Sequence, residues 1–227
     1  MERRPWIVAH RGACREAQEN TLEAFEAAIR QGADMIELDV RATREGRLVV
    51  HHDRRLEGIP VREWEFRSLR RHAPAVPLLE EAVRLLAGRI RLDVELKGTG
   101  TEEAVSALCR RRLPEGTYVL SSFLPAVLKT CLRLAPDIPL GLIARRDGWK
   151  AMMKCKEHGW SWLMLEDALA SPALLERCRR TRMRVLVWTV NDPQRLTELL
   201  RLKWLGGIVT DFPGSALALR SRSENAR

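Results

Sequence analysis

Short β-type runs alternate with longer helical patterns along the whole chain, and this alternation limits the possible folds more than any other feature. Eight strand–helix units can be counted in the 227 residues. The pattern predicts a parallel α/β fold, because each helix returns the chain to the start of the next strand. The predicted strands span residues 6–10, 35–40, 89–96, 117–122, 139–144, 161–166, 184–190 and 206–211.

Eight strands favour a closed TIM (β/α)8 barrel over an open doubly wound sheet. The open sheet is the structural competitor, but no Gly-x-Gly-x-x-Gly element follows the first strand. The length suits one barrel domain over residues 1–227, with about residues 216–227 predicted to form a polar tail whose last part, SRSENAR, is frayed.

One segment interrupts the alternation after the second strand. Residues 44–46 form a turn signal, and a β-type run follows that ends near His52. This predicts a small hairpin appended to the second strand. Residues 54–77 then predict a short, mostly polar insertion before the next helix.

The charge balance indicates the class of partner. The chain has 39 basic and 30 acidic residues, a formal net charge of +9, which favours anionic partners such as phosphate-bearing small molecules or an anionic membrane surface. Arginine is scattered over the predicted helices rather than gathered in a stripe, so we expect no nucleic-acid binding.

Cysteine usage and hydropathy predict a cytoplasmic protein. The five cysteines are widely spaced and include no Cys-x-x-Cys pair, which argues against a disulfide framework and against a zinc site. We expect no signal peptide and no transmembrane segment, because no apolar run is long enough for either.

Polar side chains concentrate at the carboxyl ends of the predicted strands, where a barrel of this kind places its active site. Glu37 and Asp39 are two residues apart on one strand and therefore project to the same side, where Glu95 of the next strand can join them. A hard divalent cation would compensate the burial of three carboxylates, either Mg²⁺ or Ca²⁺, with Mn²⁺ as a third candidate. The alternative is a set of structural salt bridges to Arg11 or Lys97.

Two histidines are candidates for acid–base catalysis. His10 ends the first strand and His52 follows the hairpin run, and imidazole titrates near neutral pH. Arg11 can contact two phosphate oxygens at once, and Lys97 offers a point charge. Together these residues predict metal-assisted phosphoryl transfer.

These motifs resemble the glycerophosphodiester phosphodiesterases. The resemblance covers nearly the whole chain in order, and its His-Arg-Gly, Glu-Asn-Thr, Glu-Leu-Asp and His-Asp elements are specific at this spacing. It is carried by "AHRGACREAQENTLEAFEAAIRQGADMIELDVRATREGRLVVHHD", "LDVELKG", "LSSF", "VWTVND" and "GGIVTDFPG".

The resemblance implies a TIM barrel that hydrolyses small anionic phosphodiesters, such as glycerophosphocholine or glycerophosphoethanolamine, to sn-glycerol 3-phosphate and an alcohol. It also implies attack on phosphorus by the substrate's own glycerol hydroxyl, followed by opening of a cyclic phosphate by water. The implied roles are metal ligands for Glu37, Asp39 and Glu95, the acid–base pair for His10 and His52, and substrate contacts for Arg11, Lys97, Glu19 and Trp188.

Two departures from the family pattern bear on the substrate. The family's Arg-Thr-Thr element after His-Asp is missing and the insertion there is shortened, which predicts a more open mouth. Gln18 replaces the usual proline before Glu-Asn-Thr. An open mouth and the net charge of +9 would suit one alternative, a lysophospholipase D-type enzyme in peripheral contact with an anionic membrane. A second alternative is a non-catalytic phosphoester-binding barrel, because a fold does not guarantee activity.

Overall fold

Eight parallel strands close into a barrel in the computed structural model, which describes residues 4–225. The first barrel strand pairs with the last and with the second, so the ring has no open edge. The described strands are β1 (Trp6–His10), β2 (Met35–Ala42), β3 (Leu48–Val50), β4 (Arg55–Leu56), β5 (Ile59–Pro60), β6 (Arg91–Leu96), β7 (Tyr118–Ser122), β8 (Leu140–Ala144), β9 (Trp162–Glu166), β10 (Arg184–Trp188) and β11 (Gly207–Thr210).

Helices follow the barrel strands and cover their outer faces. Within residues 4–225, no helix is both long enough and apolar enough to cross a membrane. The described α-helices are α1 (Leu22–Gln31), α2 (Phe66–His72), α3 (Leu79–Leu86), α4 (Glu102–Arg112), α5 (Pro125–Leu134), α6 (Gly148–His158), α7 (Pro172–Arg180), α8 (Pro193–Leu200) and α9 (Pro213–Asn225).

Strand alternation divides the apolar residues into two layers. Side chains such as Val8, Met164 and Leu186 fill the barrel interior, whereas Ile7, Leu163 and Val185 pack outward against the helices. The predicted TIM barrel is therefore confirmed, and its interior is a packed core rather than a channel.

The predicted strands differ from the observed ones only at their ends. β2 runs to Ala42 because the antiparallel β3 extends its ladder by the pair Ala42–Leu48, which confirms the hairpin. β10 ends at Trp188, two residues earlier than predicted.

The insertion after the hairpin is less polar in its packing than predicted. It comprises β4, β5, a 3-10 turn over Val61–Glu63 and α2. Val61, Trp64 and Leu69 are buried against Val49 of the hairpin, so the insertion carries a small core of its own.

The prediction of a frayed tail is wrong for its described part, because residues 213–225 form α9. Ala216 is buried, and Arg220 is buried in an ion pair with Asp34 while its Nη1 also donates to the Pro5 carbonyl at 3.2 Å. These contacts tie the helix to the barrel. Residues 226 and 227 lie outside the described residues.

Candidate active site

The polar strand ends meet in one cavity at the carboxyl end of the barrel. The cavity has a volume of about 60 Å³. The residues that line it are His10, Arg11, Glu37, His52, Asp93, Glu95, Lys97 and Trp188, together with Phe123, Ile143, Arg145, Met164 and Val209.

Strand register brings the three candidate metal ligands together. β2 and β6 pair in parallel with Asp39 opposite Glu95, and Glu37 lies two residues before Asp39 on the same side of β2. One carboxylate oxygen from each of the three lies within 4.8 Å of the others, and all three residues are buried.

Cations surround this carboxylate cluster. Lys97 Nζ lies 2.7 Å from Glu95 Oε1 and 3.1 Å from Asp39 Oδ1, and Arg11 Nε lies 3.4 Å from Asp39 Oδ2. Asn20 donates from Nδ2 to Asp39 Oδ2 at 2.7 Å, and the Arg11 backbone N–H donates to Glu37 Oε2 at 3.0 Å. The salt bridges considered from the sequence are therefore present, but they leave part of the cluster unsatisfied.

The pKa values of the carboxyl groups diverge as a result. Burial, reinforced by the charge of Asp39, raises the pKa of Glu95 to about 7 and that of Glu37 well above its usual range. Burial acts in the same direction on Asp39, but Lys97 and Arg11 outweigh it and lower the pKa of that carboxyl. Without further positive charge, the site therefore holds protons near neutral pH.

The donor set fits a hard divalent cation. Asp39 Oδ1 and Glu95 Oε1 are buried and share one ammonium group, that of Lys97, which lies 3.1 and 2.7 Å from them. Buried anionic oxygens of this kind are the ligands that Mg²⁺ and Ca²⁺ prefer, and a cation would supply the charge that the cluster lacks.

Cation affinity should rise with pH through neutrality. The cation requires deprotonated ligands, so below a pKa of about 7 protons on Glu95 compete with it. We expect Mg²⁺ affinity to be roughly tenfold lower at pH 6 than at pH 8. Calorimetric titration in two buffers of different ionisation enthalpy checks this by counting released protons; equal affinity at both pH values would contradict it.

His10 is oriented by a carboxylate from the last strand. Its Nδ1 lies 2.7 Å from Asp211 Oδ1, and this hydrogen bond holds the pKa of Asp211 far below its usual range. Asn191 and Arg15 donate to the other oxygen of Asp211 at 2.8 and 3.1 Å. Because Asp211 occupies Nδ1, Nε2 is the ring nitrogen that His10 can offer to a ligand in the cavity.

His52 has the same arrangement from the other side. Its Nδ1 lies 2.8 Å from Asp53 Oδ1, and Arg41 donates to its backbone carbonyl from Nε at 2.9 Å. Burial lowers the pKa of His52, which favours the neutral imidazole at neutral pH. The Nε2 atom of His51 instead lies 3.3 Å from the Arg55 carbonyl oxygen, and His51 does not line the cavity.

The remaining predicted residues surround the cavity. Arg11 Nη1 donates to both carboxylate oxygens of Glu19 at 2.9 and 3.0 Å, so Glu19 contacts the cavity through Arg11 rather than lining it. Trp188 donates from Nε1 to the Met164 carbonyl at 3.0 Å and packs edge-on against Phe123, with ring centroids 5.6 Å apart.

Gly12 explains why glycine follows His10 and Arg11. Its φ is +84°, and a Cβ there would lie 2.7 Å from the backbone carbon of Ala24 in α1. Only glycine allows this close approach of the β1 loop to α1, which fixes the chain that carries His10 and Arg11.

Sequence reasoning missed several supporting residues. Asn20 appeared only as part of the Glu-Asn-Thr element, yet it bonds Asp39. Asp93 also lines the cavity, accepts a hydrogen bond from Ser121 at 2.6 Å, and has a pKa raised by burial to about 7. Asp211 ends the last predicted strand, but its pairing with His10 joins residues 201 positions apart and has no local signal in the sequence.

Comparison with known proteins identifies the relatives of this chain. A curated Bacillus altitudinis protein named glycerophosphodiester phosphodiesterase is 30% identical, over 94% of this chain and 97% of its own length. The crystal structure of glycerophosphodiester phosphodiesterase from Agrobacterium tumefaciens is 26% identical, with a TM-score of 0.82 over 94% of this chain and 99% of that one.

A third comparison supports the fold alone. A phosphodiesterase from Oleispira antarctica, solved in complex with the product sn-glycerol-3-phosphate, has a TM-score of 0.87 at 22% identity, over 96% of this chain and 97% of that one.

The model of the glycerophosphoryl diester phosphodiesterase family matches residues 10–215. This protein is therefore a member of the glycerophosphoryl diester phosphodiesterase family.

Proposed function

We propose that the protein hydrolyses glycerophosphodiesters, such as glycerophosphocholine and glycerophosphoethanolamine, to sn-glycerol 3-phosphate and an alcohol in a metal-dependent reaction. One observation carries the proposal: two carboxylate-oriented histidines, a buried carboxylate cluster and two cations share a single cavity. This combination supplies proton transfer, a cation site and phosphate binding at one point.

Glu37, Asp39 and Glu95 would hold the divalent cation. When bound, Mg²⁺, Ca²⁺ or Mn²⁺ would polarise the phosphoryl group and offset its negative charge. Lys97 and Arg11 lie against the same carboxylates and line the cavity, so they are placed to contact the phosphate oxygens from beside the cluster.

His10 and His52 would move the protons. One histidine takes the proton from the attacking glycerol hydroxyl at its Nε2, and the other gives a proton from Nε2 to the oxygen of the departing alcohol. The bond between phosphorus and that oxygen breaks, and a cyclic phosphate forms. Water then opens the cyclic phosphate with the two histidine roles reversed. Asp211 and Asp53 hold each ring by Nδ1 through both steps.

A panel of substrates tests this proposal. Release of sn-glycerol 3-phosphate is measured from glycerophosphocholine, glycerophosphoethanolamine and lysophospholipids, each with Mg²⁺, Ca²⁺, Mn²⁺ or a chelator. Metal-dependent release from the small diesters supports the proposal. Absence of turnover on every substrate would favour the non-catalytic phosphoester-binding barrel.

A groove beside the cavity favours lysophospholipids as a second substrate class. It has a volume of about 550 Å³ and shares Phe123, Ile143 and Arg145 with the catalytic cavity. Its other walls are apolar at Pro125, Leu142, Ala144 and Ala151 and charged at Arg146, Asp147, Lys150 and Lys154. An acyl chain attached to the substrate glycerol could lie in this groove.

A face of α6 outside the groove also suits contact with an anionic membrane. Trp149 and Met153 on this face are 48% and 56% exposed, and Leu124 is exposed in the loop after β7. Arg146 and Lys150, close to them in sequence, line the groove. Exposed aromatic and apolar residues among cations are typical of peripheral membrane contacts.

Removing the two exposed residues of α6 should weaken membrane binding without changing the chemistry. We expect Trp149→Ala with Met153→Ser to reduce co-sedimentation with phosphatidylglycerol vesicles by about tenfold, because both apolar side chains leave the interface. Hydrolysis of glycerophosphocholine should be unchanged. Leu134→Ser, at the exposed end of α5, is the matched control. If the double variant and the wild type bound the vesicles equally, this face of α6 would not be a membrane contact.

The cysteines support a cytoplasmic location. All five are free thiols, and burial raises the pKa of Cys109, Cys155 and Cys178, so these three are unreactive at neutral pH.

A further inference from the structure

A second cavity, of about 850 Å³, lies at the opposite end of the barrel from the catalytic cavity. Its walls come from the beginnings of β1, β6, β9 and β10 and from the turn before β11. In barrels of this type, that end normally supplies stability rather than chemistry. No residue of the catalytic cavity takes part in it.

Two tryptophans form a rigid floor for this second cavity. The rings of Trp6 and Trp162 lie with their centroids 5.7 Å apart, and Trp162 is almost fully buried. Gly206 makes room for the Trp162 ring, because a Cβ at that position would lie 2.7 Å from both Trp162 Cζ3 and the Val185 carbonyl oxygen. The floor is therefore fixed by backbone packing.

Two arginines stack on this floor. The guanidinium carbon of Arg184 lies 4.6 Å from the Trp162 ring centroid, and that of Arg91 lies 4.8 Å from the Trp6 ring centroid. A guanidinium held over an aromatic ring loses side-chain freedom but keeps N–H donors at its edge. The stacking therefore prepares donors for an anion at little entropic cost.

The lining of the cavity is rich in arginine. It contains one carboxylate, Asp34, and five arginines: Arg4, Arg91, Arg179, Arg182 and Arg184.

Some of these charged groups are already paired, but in the part of the chain that the structure describes two of the arginines are not. Arg220 already pairs with Asp34, and Glu176 pairs with Arg179. Among residues 4–225, no carboxylate lies within ion-pair distance of Arg91 or Arg182. A concave surface with several like charges concentrates positive potential, which attracts a multiply charged anion.

We propose that this cavity is a second ligand site, which binds a diphosphate group through Arg91 and Arg182. Guanidinium groups match phosphate oxygens in pairs, and two adjacent phosphates would engage both arginines at once. Inorganic pyrophosphate and the diphosphate of a nucleotide offer the same chemistry, and the experiment separates them.

The test is calorimetric titration of pyrophosphate, and separately of ADP, into the full chain with a chelator present. The double variant Arg91→Gln with Arg182→Asn removes two positive charges. Asparagine is chosen because residue 182 has a φ of +56°, which asparagine tolerates better than most residues. Arg110→Gln with Arg112→Gln on α4 removes the same charge elsewhere, and Lys97→Met removes a phosphate contact from the catalytic cavity.

We expect the dissociation constant for pyrophosphate to rise at least about tenfold in the double variant and to stay within about twofold in the α4 control and in Lys97→Met. Glycerophosphocholine hydrolysis by the double variant should match the wild type, so the outcome is independent of the proposed catalytic function. Tighter binding of ADP than of pyrophosphate would assign a nucleotide, and the reverse would assign a diphosphate without a base.

Three results would overturn the proposal: no binding by the wild type, equal affinity in the double variant, or loss of binding in Lys97→Met, which would place the anion in the catalytic cavity. If the double variant does not fold, the single variant Arg182→Asn tests the proposal. It should fold, because Arg182 lies in an exposed turn. Its dissociation constant for pyrophosphate should rise about threefold or more, and an unchanged value would overturn the proposal.

Discussion

Replacing His52 with alanine is expected to lower turnover of glycerophosphocholine by about 10³-fold, and His10→Ala by a similar factor. In the proposed mechanism each imidazole moves a proton in both steps, and water is a poor substitute for it. The Michaelis constant should change little, because the two proposed phosphate contacts, Arg11 and Lys97, are kept. Initial rates with saturating Mg²⁺ measure both effects.

His51→Ala is the matched control for His52→Ala. The two histidines are adjacent in sequence, but His51 contacts the Arg55 carbonyl and lies outside the cavity. We expect His51→Ala to retain wild-type turnover, and thermal unfolding should show that all three variants fold. A His10 or His52 variant with a near-normal rate would remove that residue from the mechanism.

Glu37→Gln and Glu95→Gln are expected to weaken Mg²⁺ binding by about 10²-fold or more, since each removes the charge of one of the three proposed ligands. The metal-free fold should keep its stability or gain some. Burial and carboxylate repulsion raise the pKa of both groups, so a neutral amide removes an unfavourable charge rather than a favourable one.

Thermal unfolding with and without Mg²⁺ separates these effects. The wild type should gain stability on adding Mg²⁺, and the two variants should gain little at the same concentration. Glu103→Gln, on the exposed face of α4, should behave as the wild type. If the glutamine variants instead lost stability without metal and kept their response to Mg²⁺, the carboxylates would be structural partners of Lys97 and Arg11.

The barrel and most of the site could be predicted because their signals are local. Strand alternation predicts that Glu37 and Asp39 lie on one side of β2. In a barrel of this type the active site lies at the carboxyl ends of the strands, which predicts that His10, Glu95 and Lys97 lie near them. The hairpin followed from a turn signal between two β-type runs.

The parts that could not be predicted depend on distant contacts. The tail is polar in sequence, and its helix is fixed by the ion pair of Arg220 with Asp34, 186 positions away. Asp211 orients His10 across a similar separation, and Asn20 donates to Asp39 from a loop whose sequence predicts only the start of a helix. The sequence does not predict these pairings, because the barrel fold brings the partners together.

The most direct test of the central claim is a phosphorus NMR time course of glycerophosphocholine with the purified protein. With Mg²⁺, we expect the diester signal to decline as the signal of sn-glycerol 3-phosphate grows. This conversion should stop when EDTA is added and resume when Mg²⁺ is restored in excess. Undiminished hydrolysis in EDTA, or no hydrolysis with Mg²⁺, Ca²⁺ or Mn²⁺, would contradict it.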